Sequence, residues 1–181
     1  VFFILLSISK PLLAEAPAVI LEDGKELYKI GLNLDILEDP TGKLTIDDVH
    51  SPEWAGKFKR SEVKIPTYGY SKSAYWIRFK VKKKPSDKRE WILINKNPIL
   101  HDVRIYRKKH ETFKEFITGN RFPFSSREIE MESFAFHIKP EINSTYYMRH
   151  EGFVTSINYE IVTTNKYIVT IKKNYMEMIF F

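Results

Sequence analysis

Between Tyr75 and Val81, the residues Tyr75, Ile77, Phe79 and Val81 alternate with Trp76, Arg78 and Lys80. A β-strand sends successive side chains to opposite faces, so this spacing gives a strand one fully apolar face that must meet a core. In a helix the same residues would be spread around the circumference, with no continuous apolar stripe. The period of two recurs at 30–37, 90–95, 103–107, 113–118, 133–138, 145–149 and 156–163. Between these runs lie DPTG (39–42), PSD (85–87), NP (97–98), TGN (118–120) and KPEINS (139–144). They are rich in residues that supply turn geometry or competing side-chain hydrogen bonds. About eight strands at this spacing predict an all-β domain, a jelly-roll β-sandwich. The exception is Leu44 to Trp54, where Thr45 is placed to cap a short helical turn near residues 45–50, with Asp47 and Asp48 at its positive end. That turn is expected to plug one end of the sandwich.

Composition narrows the function more than the fold. Thirteen Phe, ten Tyr and three Trp supply a large core and favour strands. The absence of cysteine excludes disulfides and thiolate metal sites. Net charge is +6, with a sequence pI near 9.3, and much of the excess sits in the runs Lys82, Lys83, Lys84 and Arg107, Lys108, Lys109. Each run follows an alternating stretch where a turn is due, so the lysines read as solvated turn residues and edge-strand protectors. No nucleic-acid partner is expected. His50, His101, His110, His137 and His150 are dispersed without ligand spacing, and there is no glycine-rich phosphate loop and no GxSxG elbow. The expectation is therefore no metal, no cofactor and no enzymatic activity, with the neighbouring carboxylates Asp47, Asp48, Glu128, Glu130 and Glu132 read as solvated.

The two termini carry a different signal. VFFILLSISKPLLAEA (1–16) reads as the rear of a secretory signal peptide, an apolar run followed by small residues at Ala14 and Ala16. Residues 17–163 form the expected domain. In KYIVTIKKNYMEMIFF (166–181) hydrophobicity rises toward Phe181, so residues 164–181 are expected either to connect the domain to a first transmembrane helix or to pack on the core as an amphipathic end.

Five segments in order, EDPTGKLTIDDV (38–49), YGYSKSAYWIRFKV (68–81), DVRIY (102–106), TGNRFPFSSREI (118–129) and TYYMR (145–149), resemble one family. It is the type 2 extracellular domain of bacterial seven-transmembrane receptors with diverse intracellular signalling modules (7TMR-DISM). The resemblance implies a jelly roll similar to carbohydrate-binding modules, on the periplasmic, extracytoplasmic face of the inner membrane, preceding a membrane region that signals inward. Two positions depart from the pattern: Asn120 stands where the family usually has Asp, and Lys84 replaces a common Asn.

On this footing the chain is expected to sense a carbohydrate or carboxylated small molecule. The alternative is a protein–protein interaction or dimerisation module, forming a homodimer without a small ligand. Candidate ligand-binding residues are Trp76, Arg78, Arg127 and Arg149. Trp76 and Arg78 share the strand face opposite the core set, where an indole can stack on a sugar ring and a guanidinium can bind hydroxyl or carboxylate groups. The other reading of that face is that it also packs, with Trp76 in a core and Arg78 paired to a carboxylate. Arg127 lies in the FPFSSRE loop (122–128) and Arg149 on the TYYMR strand, and loops on a rigid scaffold commonly carry binding residues.

Overall fold

The computed structural model describes residues 15–179. In chain order it contains β1 (Val19–Leu21), β2 (Leu27–Lys29), β3 (Leu34–Asp39), α1 (Ile46–His50), α2 (Pro52–Ala55), β4 (Lys59–Arg60), β5 (Thr67–Tyr70) and β6 (Ala74–Lys83). There follow β7 (Trp91–Asn95), β8 (Asp102–Lys109), β9 (Thr112–Thr118), β10 (Phe134–Ile138), β11 (Asn143–Glu151), β12 (Val154–Ser156), β13 (Tyr159–Thr163) and α3 (Thr164–Ile179). The expected all-β class holds, and each alternating run contains a strand. The run at 30–37 begins as a short 3-10 turn, Gly31–Asn33, before β3. The expected signal-peptide segment lies outside the described residues except for Glu15 and Ala16. Among the described residues no helix is long and apolar enough to cross a membrane.

Two sheets face each other. The larger runs β4-β3-β6-β11-β8-β9, with β1 pairing in parallel with the end of β6, and the smaller runs β10-β7-β13-β2. Tyr75, Ile77, Phe79 and Val81 of β6 meet Leu93, Phe134, Phe136, Tyr159 and Ile161 of the smaller sheet in one buried cluster. This is the face that alternation assigned to the core. β5 and β12 form a separate ribbon.

Both sheets are also covered on their outer faces. On the small sheet, Ile92 and Ile94 of β7, Ala135 and Val162 lie under Ile129 and Met131 of the preceding loop and Tyr167 of α3. WILIN (91–95) departs from the expected period of two and is buried throughout, since a strand covered on both sides has no solvent face to mark.

On the large sheet, the excursion between β3 and β4 lies across the outer face, and Val49 and Phe58 join Leu37, Trp76, Tyr106 and Tyr147 in a second cluster. The short helix was expected to plug an end of the sandwich; it roofs a face instead. Its start is as read from the sequence. Thr45 Oγ1 accepts from the Asp48 amide, and the Asp48 carboxylate accepts from the Thr45 amide at 2.8 Å, completing a capping box.

One buried group ties stability to pH. His150 on β11 is fully enclosed between its strand neighbours Tyr75 and Val103 and the ring of Tyr159, and neither ring nitrogen has a hydrogen-bond partner. Burial, reinforced by the adjacent Arg149 cation, pushes its pKa down from 6.5 to about 3. Between those values the unfolded chain binds a proton that the folded one refuses. Stability from this residue is therefore present above pH 6.5 and is lost as pH falls toward 3, at up to about 1.4 kcal/mol per pH unit. Urea unfolding measured from pH 7.5 to pH 4.5 is expected to show this slope, and His150→Leu to flatten it. An equal slope in the variant would assign the acid sensitivity elsewhere.

Candidate functional site

The outer face of the large sheet is built from cross-strand rows. Register places Leu37, Trp76, Arg149, Arg104 and Ile117 in one row, and Asp35, Arg78, Tyr147, Tyr106 and Glu115 in the next. The excursion after β3 covers the middle of these rows, with Val49 and Phe58 over Leu37, Trp76, Tyr106 and Tyr147 and the His50 ring against Tyr147 and Phe113, and leaves Arg104 and Glu115 part-exposed. Where its first turn stops short, a cleft of about 440 Å³ opens, lined by Gly42 to Ile46 on one wall and by Arg104, Tyr106, Phe113, Glu115 and Arg149. Its size lies in the range of small-molecule sites.

The wall is held by Asp39. Its Oδ1 accepts from the Thr41 amide and hydroxyl and from the Gly42 amide, and its Oδ2 accepts from the Leu44 amide at 2.9 Å. Gly42 has φ of +64°, a left-handed conformation that costs a side-chain-bearing residue. The free carbonyl of that turn points at the floor, where Arg149 Nη2 donates to it at 2.9 Å.

The floor is a network of charged donors and acceptors. Arg104 donates from Nε and Nη2 to the two Asp102 oxygens at 2.8 and 2.9 Å, and from Nη1 to Glu115 at 3.2 Å. The bond to Asp102 raises the Arg104 pKa further. Tyr106 donates its hydroxyl to Glu115 at 2.6 Å. Burial, and then the Glu115 carboxylate, raise the phenol pKa well above its usual value. Arg149 also pairs with Glu151, while its Nη1 is buried without a hydrogen bond and lies 3.9 Å from Asp102. Phe113, Leu44 and Ile46 add apolar surface. The cleft can therefore offer guanidinium donors, carboxylate and phenol oxygens, and one aromatic edge to a single ligand.

The four candidate residues separate. Trp76 is 0% exposed, stacked on Tyr106 at 5.3 Å, with its indole N–H unpartnered. It cannot be an exposed sugar platform, because the excursion carrying Val49 and Phe58 covers it. Arg78 is corrected likewise. It bonds Asp35 at 3.0 and 3.2 Å and the Ala55 carbonyl at 3.3 Å, with the Phe58 ring over its guanidinium. The packed reading of this strand face is the one the structure adopts.

Arg127 bonds the Met131 and Glu132 carbonyls and sits between Phe124 and Phe134. It braces its own loop and is not part of the cleft lining. Arg149 alone lies in the cleft.

Sequence reasoning missed Arg104, Tyr106, Glu115 and the 42–46 wall. The signal was present in DVRIY, where Asp102, Arg104 and Tyr106 alternate with Val103 and Ile105, and in the turn-rich DPTGK. What was missing was that these two segments meet.

The family model described as 7TMR-DISM extracellular 2 matches residues 31–163. The match starts at the 3-10 turn before β3 and ends with the last residue of β13, so it encloses every residue of the cleft. No curated protein matches the chain.

Proposed function

Because the chain belongs to the 7TMR-DISM extracellular 2 family, the extracytoplasmic sensory domains of membrane receptors, we propose that it senses a small molecule, a carbohydrate or carboxylated metabolite, in the cleft between the 42–46 wall and strands β8, β9 and β11. One observation carries this. Arg104 and Arg149 stand directly opposite each other on paired strands at the floor of a concave site. Asp102, Glu115 and Glu151 balance the two cations, and a ligand that accepts from both guanidinium groups would join this charged network through charge-assisted hydrogen bonds. Hydroxyls or a carboxylate would occupy the arginines, Glu115 would accept from a second hydroxyl, and Phe113 would cover an apolar ring face. In the same reading the two-sheet body is a jelly roll similar to carbohydrate-binding modules. Signalling then requires that ligand bind two receptor states with unequal affinity.

The competing reading, docking or homodimerisation, would use a surface other than Trp76 and Arg78, which are buried. Calorimetric titration of the chain with neutral sugars, uronic acids and small carboxylates, alongside sedimentation, tests both. Saturable binding is expected, weakened about tenfold or more by Arg104→Gln, since a hydrogen bond to a charged group contributes about 1.5–3 kcal/mol. A folded protein that binds nothing in the panel up to about 10 mM, a weak limit corresponding to under 3 kcal/mol, would sink the proposal. Concentration-dependent self-association in its place would move the function to protein contact.

A further inference from the structure

We infer that the end of the sandwich from which α3 leaves rests on an anionic phospholipid surface. Strand register gathers five segments at that end. Lys82 pairs with Asn143, Leu21 with Lys83, and Lys109 with Thr112. The amides of Thr163 and Thr164 bond Glu26 and Glu90 as β13 passes into α3.

Segments 22–26, 82–90, 107–114, 139–142 and 164–173 together hold fourteen Lys or Arg and seven Asp or Glu, a balance of +7. Adding Glu128, which reaches Arg107, and its neighbour Glu130 still leaves +5. The chain as a whole carries +6, so nearly all of its excess charge is on this one end.

The charge is also available. Lys82, Lys88, Lys108, Lys139, Lys166 and Lys172 are exposed. Among the described residues the ion pairs at this end involve other cations, Lys84 with Asp23, Arg89 with Asp87 and Arg107 with Glu128. Lysines serving only to protect strand edges would be distributed over both ends of the sandwich. Apolar side chains stand among them: Ile142 is 65% exposed at the tip of the 139–142 loop, and Val169 is 61% exposed on α3.

Unpaired ammonium groups around protruding aliphatic side chains match the chemistry of a bilayer surface, where lysines meet headgroup phosphates and aliphatic groups enter the interface. The inference uses the receptor assignment for the nearness of a bilayer and uses nothing about the cleft. Its consequence is orientation: the cleft's sheet would stand upright from the membrane, with α3 at the base.

Co-sedimentation of the 181-residue chain with vesicles of phosphatidylcholine alone, or with one part in four phosphatidylglycerol, tests it. Binding is expected to the anionic vesicles and to fade as salt rises through about 0.1 to 0.5 M, where screening shortens below 10 Å. The triple variant Lys82→Gln, Lys108→Gln, Lys139→Gln is expected to bind about a hundredfold less, near fivefold per lysine. A control, Lys59→Gln, Lys64→Gln, Lys72→Gln, removes the same charge from outside these segments and should bind as the parent does. Equal losses in the two variants would reduce the effect to net charge, and equal binding to both vesicle types would reduce it to apolar insertion. Either result overturns the inference. Ligand titration of the same lysine variant reads the cleft separately, so failure of one claim leaves the other standing or falling on its own data.

Discussion

Trp76→Ala is expected to lower the unfolding free energy by about 3–5 kcal/mol, the cost of removing a large aromatic side chain from a closed core. The ring has no exposed surface and is held by Tyr106 on its face and by Leu37, Val49 and Phe58 around it. Truncation opens a cavity beneath a short helical excursion that can collapse only by giving up its own contacts. Trp76→Phe keeps much of the stacking and removes an indole N–H that has no acceptor, so it is expected to cost less than half as much. Urea denaturation followed by far-ultraviolet circular dichroism measures both without depending on the lost indole. A surface role makes the opposite prediction, lost ligand affinity at unchanged stability, and that pattern would refute the burial argument.

The second large effect belongs to the ion pair beside it. Arg78 and Asp35 are directly opposed on β6 and β3, with side chains 6% and 5% exposed. The Asp35 carboxylate also accepts from the Ala16 amide at 2.8 Å. Taking both charges out of water is costly, and their attraction largely offsets it, so the pair as a unit contributes little net stability. Removing one partner is different. Arg78→Met leaves the buried Asp35 carboxylate without its cation and is expected to cost about 3–5 kcal/mol. Combining it with Asp35→Asn, which retains an acceptor for Ala16, is expected to recover more than half of that loss. A double-mutant cycle from chemical unfolding gives the coupling directly, and additive single effects would show that the two side chains do not depend on each other.

These neighbours illustrate how much was readable beforehand. The inner face of β6 follows from alternation alone, because four apolar residues at period two leave no other side to bury. The Thr45 cap follows equally from local chemistry, since the side chains of residues 45 and 48 satisfy each other's amides within one turn. The family match agrees with the resemblance carried by the five quoted segments. Arg149 was a candidate from its strand position and lies in the cleft. Trp76 and Arg78 were correctly placed on the outer face of β6, and the sequence left open whether that face is solvent or core.

The difference lies in range. Periodicity, caps and turns are interactions over a few residues, so the sequence by itself determined an all-β domain, one core face of each alternating strand and the start of α1. Whether a second face is covered depends on where a distant segment lands. Residues 40–58 fold over Trp76 and Arg78 and reach Arg149 through the Gly42 carbonyl, while Arg104 stays part-exposed, so one part of the face is core and the next is a cleft. That boundary is set by the Asp39 turn, by the apolar contacts of Val49 and Phe58, and by a hydrogen bond from Arg149 to Gly42 across 107 residues of chain. No local pattern encodes such a contact. It exists only when the sheet is assembled, and so only the tertiary structure decided which of the outward-facing residues could meet a ligand.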